Sequence, residues 1–209
     1  METYNDKAFE MKGFLWEPSV ETETSEGTRA IPVMTKHLSN RKIFITGEIN
    51  ADSSCEFISQ LLLLTTQSTD PIDIYISSPG GSVDAGLAMY DAIQTFKDTI
   101  VINMYCIGMA ASMGAVLFAG GQKGRRFILP HGRVMIHEPL IRDGIGGSTS
   151  SIKKTSDSMI KTRDTISAIL AEHTGKSKKE INKAISFDNY MNAEEAVKFG
   201  LCDEISGLR

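Results

Sequence analysis

Short apolar runs alternating with helical periodicity constrain this chain more than any other feature. Lys42–Ile49, Ile72–Ser77 and Ile100–Cys106 read as strands; Ile43, Phe44 and Ile45 are too continuous for a sheet covered on one face, and the third run reads as buried. Between them apolar residues recur every three or four positions. Phe57, Ile58, Leu61 and Leu62 mark a helix opened by Asp52; Val83, Leu87, Tyr90, Ile93 and Phe96 mark one from Ser82. Ser78-Pro79-Gly80-Gly81 reads as a tight turn before that second helix. Gly108 breaks the third strand, and an Ala/Met-rich helix follows to about Gly120. Strand and helix alternating three times predict an α/β class.

Farther on, Arg126–Leu129 and Val134–Ile136 read as short strands. Residues 141–150 are glycine-rich and polar, with no core pattern. A long helix from Ser151 to His173 follows, striped by Ile152, Met159, Ile160, Ile166, Ile169 and Leu170, and Gly175 stops it. Ser177 with Glu180, and Asn192 with Glu195, have capping-box spacing for two more helices. Gly200 ends the second, and Leu201–Ile205 forms a last strand. Residues 1–38 lack such periodicity. Glu21–Gly27 is polar and expected to be mobile, while Phe14, Leu15, Trp16 and Val20 need cover from the body or another subunit. The expected organisation is an N-terminal segment, 1–38, and one domain, 39–209, which is long enough for a sizeable core.

Charge and cysteine usage narrow the function. A formal net charge of −4 makes nucleic acid a poor partner. Cys55, Cys106 and Cys202 form no CxxC pair and read as buried thiols in a reducing compartment. The run Leu61–Leu64 is too short to cross a bilayer, and the N-terminus has no apolar stretch of signal length, so a cytoplasmic location is expected. No phosphate loop, nicotinamide fingerprint or zinc spacing is present, and neither cofactor nor metal is expected.

Two segments carry candidate chemistry. Gly108–Ala115 presents Ser112 among small residues at a strand-to-helix junction; Met135–Pro139 presents His137 at the end of an apolar strand. Nucleophilic serine needs a base for its proton, a group to orient that base, and donors for the developing oxyanion. The N–H groups of Ser112 and Met113 belong to a helix N-terminus, where donors lack intrahelical partners. Ser112 read alone also fits a packing site or an N-cap, since AASMG is not a GxSxG elbow. His137 alone also fits a hydrogen-bonded core histidine, and Pro79-Gly80-Gly81 a plain loop. His131 lies in a turn, and His173 is expected only to meet helix C-terminal carbonyls.

The ordered set of segments resembles the proteolytic subunits of the Clp protease, the ClpP family, from about residue 40 to 205. The resemblance is carried by Tyr75–Val83, Gly86–Asp91, Gly108–Gly114, Leu129-Pro130 with Arg133–Pro139, His173-Thr174-Gly175, and Glu195-Ala196-Val197 before Gly200-Leu201. It implies a crotonase-like fold of stacked strand-strand-helix units, with a projecting handle of strand and long helix at 141–173. It implies Ser112 as nucleophile, His137 as general base, and Asp188 as orienting acid, with Asp203 the competing carboxylate. Gly81 and Met113 would supply the oxyanion donors, and Gly144, Ile145 and Gly146 would lie beside substrate as an extended strand. The implied activity is a serine endopeptidase cutting unfolded chains inside a homo-oligomeric chamber of paired heptameric rings, fed by a separate ATP-dependent unfoldase. The N-terminal segment would then form an axial gate. A catalytically silent or regulatory subunit of the same fold is the alternative, and an acyl-CoA enzyme a more distant one. Asp73, Thr95 and Ser206 stand where the family's unfoldase-docking pocket is apolar, while Tyr75 keeps an aromatic; weak docking is therefore expected.

Overall fold

The computed structural model describes residues 18–24, 27–141, 144 and 146–208. They fall into two compact units, one ending at Asn40 and one beginning at Arg41.

In the first unit, β1 (Ser19–Thr24) pairs antiparallel with β2 (Gly27–Pro32), with Val20 opposite Ile31, and α1 (Val33–Ser39) follows. The polar stretch expected to be mobile thus begins as a strand. Val20, Thr22 and Thr24 are β-branched at alternate positions, and two-residue alternation outweighs polarity here. Phe14, Leu15 and Trp16, and half of the proposed axial gate, lie outside the described residues.

The second unit runs β3 (Lys42–Ile49), α2 (Ala51–Gln67), β4 (Ile72–Gly81), α3 (Val83–Phe96), β5 (Ile102–Ala111), α4 (Met113–Ala119), β6 (Arg126–Ile128), β7 (Arg133–Ile136), α5 (Thr149–Thr174), α6 (Lys178–Ala184), β8 (Asn189–Asn192), α7 (Ala193–Phe199) and β9 (Glu204–Ile205). A mostly parallel sheet has the order β3-β4-β5-β6-β9. The strand β5 serves two neighbours: Met104–Cys106 pairs with β6, and Met109–Ala111 pairs with β7. Antiparallel pairing of β7 with β8 completes the sheet. This mixed α/β architecture agrees with the crotonase-like class expected from the resemblance.

Burial explains the continuous apolar runs. Ile72, Ile74 and Ile76 are fully buried on one face of β4, and Tyr75 is buried on the other. Tyr75 stacks between Phe44 and Tyr105, and Tyr105 stacks on Phe127, with centroids 4.9, 5.0 and 5.1 Å apart along the row. These residues are register partners across β3, β4, β5 and β6, so the parallel pairing itself aligns the rings.

Two expectations about strand ends fail for one reason. Ser78–Gly81 is not a turn but the end of β4, and Gly108 does not stop β5. Pairing passes from Thr46↔Ser77 to Glu48↔Gly80, and from Ile76↔Cys106 to Ser78↔Ala110. Bulges absorb the extra residues and the ladders resume. Asn50 rather than Asp52 caps α2, and Leu62 is exposed rather than part of its buried face. The capping boxes Ser177/Glu180 and Asn192/Glu195 form as expected, and Gly175 and Gly200 close their helices.

Candidate active site

Ser112 joins β5 to α4 with φ 54° and ψ −122°, a conformation that costs a non-glycine residue energy and persists only where its surroundings enforce it. Here they do. The Ser112 N–H donates to the Met135 carbonyl at 2.8 Å, and its own carbonyl accepts from Ala115 and Val116. Every residue of α4 is buried. Gly80, at φ 91°, passes so close that a Cβ there would lie 2.6 Å from the Ser112 Cβ and 2.9 Å from the Met113 nitrogen. The expectation that the Ser112 N–H is a spare donor is therefore wrong. Met113, the first helical residue, retains a position without an intrahelical acceptor.

His137 follows β7, and its Nε2 lies 2.9 Å from the Ser112 Oγ. Its side chain is 14% exposed, and its Nδ1 faces Asp188 Oδ1 at 3.6 Å. Strand register explains this meeting. Ile136 pairs with Asn189 antiparallel, so the residue after β7 and the residue before β8 are brought together. The Glu138 N–H donates to the Ile185 carbonyl at 2.8 Å and fixes the chain just beyond. For Ser112 to donate, Nε2 must be unprotonated and Nδ1 must carry the proton, the tautomer that a carboxylate beside Nδ1 favours. The Asp188 side chain is 60% exposed and the separation exceeds hydrogen-bond length, so this second contact is looser than the first.

Asp203 does different work. Its carboxylate takes the Arg126 guanidinium at 2.6 and 2.9 Å and the backbone N–H groups of Gly124 and Arg126. Burial alone would push this carboxyl up, but the Arg126 contacts hold it below the ordinary carboxylate value. His173 is also more than a helix terminus: its Nε2 meets the Tyr90 hydroxyl at 2.8 Å. Burial lowers the imidazole's affinity for a proton and pushes the Tyr90 phenol up to about 12. Cys106 and Cys202 are buried, their thiols pushed to about 11 and about 12, whereas Cys55 is exposed, contrary to expectation. Asp73 accepts from Asn103, Thr95 donates to the Asp91 carbonyl, and Ser206 donates to the Gly207 carbonyl, so these polar groups meet partners within the chain.

Gly81, Ser112, His137 and Asp188 line one open groove of about 530 Å³. Met113, Val116, Ile166 and Leu170 form a small apolar cavity beside it, also reached by Ser112 and His137. The groove extends to Pro139 and Leu140 but not to Gly144 or Gly146. Neither glycine is in a strand, and Ile145 lies outside the described residues. Backbone strain at Ser112 escaped the sequence reading because no glycine spacing announces it; the only signal is a polar residue between a buried strand and a buried helix.

A hydroxyl held on a strained strand-to-helix turn, within reach of an imidazole that faces a carboxylate, is the geometry of a serine-hydrolase site on an α/β sheet. The model of the Clp protease family matches residues 25–209. The chain belongs to the Clp protease family and is a ClpP-like protein by that membership. No helix among the described residues is long and apolar enough to cross a membrane.

Proposed function

We propose that this chain is an active serine endopeptidase that cleaves unfolded polypeptide. His137 takes the Ser112 proton as Oγ attacks a peptide carbonyl; the N–H groups of Gly81 and Met113 receive the oxyanion. His137 then protonates the leaving amine, and water releases the acyl-enzyme. Asp188 holds the imidazole tautomer. The 2.9 Å Ser112–His137 contact carries this reading.

Family membership supports the wider setting: a homo-oligomer of heptameric rings stacked in pairs, enclosing the sites, in the cytoplasm, with an ATP-dependent unfoldase as partner. Exposed Phe187, Tyr190, Leu140 and Ile160 are consistent with surfaces covered on assembly. Peptide and folded substrates test the reading together. Short peptides are cut by the isolated assembly, and a folded tagged protein is degraded only with an unfoldase and ATP. Rapid ATP-free degradation of the folded protein contradicts the closed chamber. The 3.6 Å gap to an exposed Asp188 favours one second reading, a silent or regulatory subunit; complete absence of peptide hydrolysis by a folded, assembled chain would support it.

A further inference from the structure

Glu48 stands on the wall of the groove and has no role in the proton transfers. Its position follows from the bulge where β3 meets β4. Buried residues alternate along β3 up to Ile45, and then Thr46, Gly47 and Glu48 are all exposed. Gly47 adopts φ 73°, and its carbonyl accepts from the Ser78 hydroxyl at 2.6 Å, with Ser78 only 1% exposed. A bulge re-aims the side chain that follows it. Glu48 is thereby set opposite Gly80, one residue from Gly81, and its own carbonyl accepts from the Ser53 hydroxyl.

The charges of the groove are one-sided. Glu48 and Asp188 line it, and among the described residues no lysine or arginine does. Asp188 is directed at His137, whereas Glu48 has no ion pair among the described residues. A chain lying along the groove brings its side chains past Glu48 close to the scissile carbonyl, because Gly80, the register partner of Glu48, directly precedes Gly81, the oxyanion donor of the mechanism above.

We infer that Glu48 is a specificity residue that selects lysine or arginine in the polypeptide beside the bond cut at Ser112. The inference rests on the peptidase reading. An acidic substrate residue at the same place meets the Glu48 carboxylate and is disfavoured. The pairing is solvent-accessible, so its size is that of an exposed ion pair, about 2- to 5-fold in kcat/KM, and it weakens as salt rises.

The experiment compares peptides that differ only by Lys, Ala or Glu at each position flanking the cut, with wild type and Glu48→Gln, at low and high salt. Labelling of Ser112 by a fluorophosphonate is measured on the same samples. Wild type favours Lys over Glu at one or more positions, salt reduces the ratio, and Glu48→Gln brings it close to unity while labelling is unchanged. Glu48→Lys reverses the preference. A chain that labels at Ser112 but shows no Lys preference, or keeps it in Glu48→Gln, overturns this inference alone. A chain that neither labels nor cleaves overturns the peptidase reading and this inference with it.

Discussion

Ser112 and Asp188 lie on opposite sides of His137 and are held in opposite ways. Ser112 is clamped between a fully buried helix, the Met135 carbonyl and the passing backbone of Gly80. Asp188 lies just before β8, a four-residue strand that pairs with β7, with its side chain 60% exposed and Phe187 beside it 84% exposed. The first contact measures 2.9 Å and the second 3.6 Å. The fold's core therefore sets the geometry of proton removal, whereas the orienting carboxylate depends on a short strand near the surface. A substitution at the core-held side should abolish turnover, and one at the strand should only weaken it.

The largest expected effect is at Ser112. Ser112→Ala should lower peptide hydrolysis by about 10³-fold or more, with the far-UV spectrum and melting temperature unchanged. Residual activity within a few-fold of wild type would break the comparison at its strong end. Asp188→Ala should cost less, about 10²-fold in kcat, because an orienting acid that is already partly solvated contributes less than nucleophile or base. If it equals Ser112→Ala, the acid is held more firmly in the assembled protein than the 3.6 Å contact indicates.

Asp203→Ala sharpens the contrast between the two carboxylates. It leaves Arg126, 3% exposed, without its ion partner, and should destabilise the fold by about 3 kcal/mol. Per folded molecule, turnover should be nearly unchanged; chemical denaturation and active-site titration on one sample separate the two. The pH dependence has a definite sign. Because Asp203 is held below the ordinary carboxylate value when folded, its stabilisation is present above the unfolded value, about pH 3.9, and is lost as pH falls through the lower folded value. Asp203→Ala should flatten the acid limb of wild-type stability below about pH 4. The smallest effect is dynamic: amides of β8 should exchange with solvent sooner than the Ser112 amide, which donates to Met135 inside the core. Equal protection would remove the distinction between core and surface strand.

The same difference decides what could be read without coordinates. Ser112 and His137 stand out because apolar strand-like runs and small residues frame them, and the α/β class follows from strand and helix patterns alternating three times. Local pattern cannot show that β4 continues through Pro79-Gly80-Gly81, because that depends on bulged pairing with β3 and β5. Choosing Asp188 over Asp203 required the family resemblance, since both precede short strands; the β7–β8 register and the Arg126 partnership separate them physically. The expected substrate-side segment at 144–146 comes from the family resemblance, since glycine marks permissive backbone without specifying its conformation. Docking by an unfoldase was expected to suffer from polar Asp73, Thr95 and Ser206. Their partners within the chain reduce that penalty, because a satisfied polar group costs less to cover.

The central claim is that the strained Ser112, served by His137, is the nucleophile. Reacting the folded protein with a fluorophosphonate and mapping the adduct by mass spectrometry tests it most directly. The account predicts modification at Ser112, greatly slowed in His137→Ala. Modification at a different serine, with Ser112 intact while peptides are still cleaved, would contradict it.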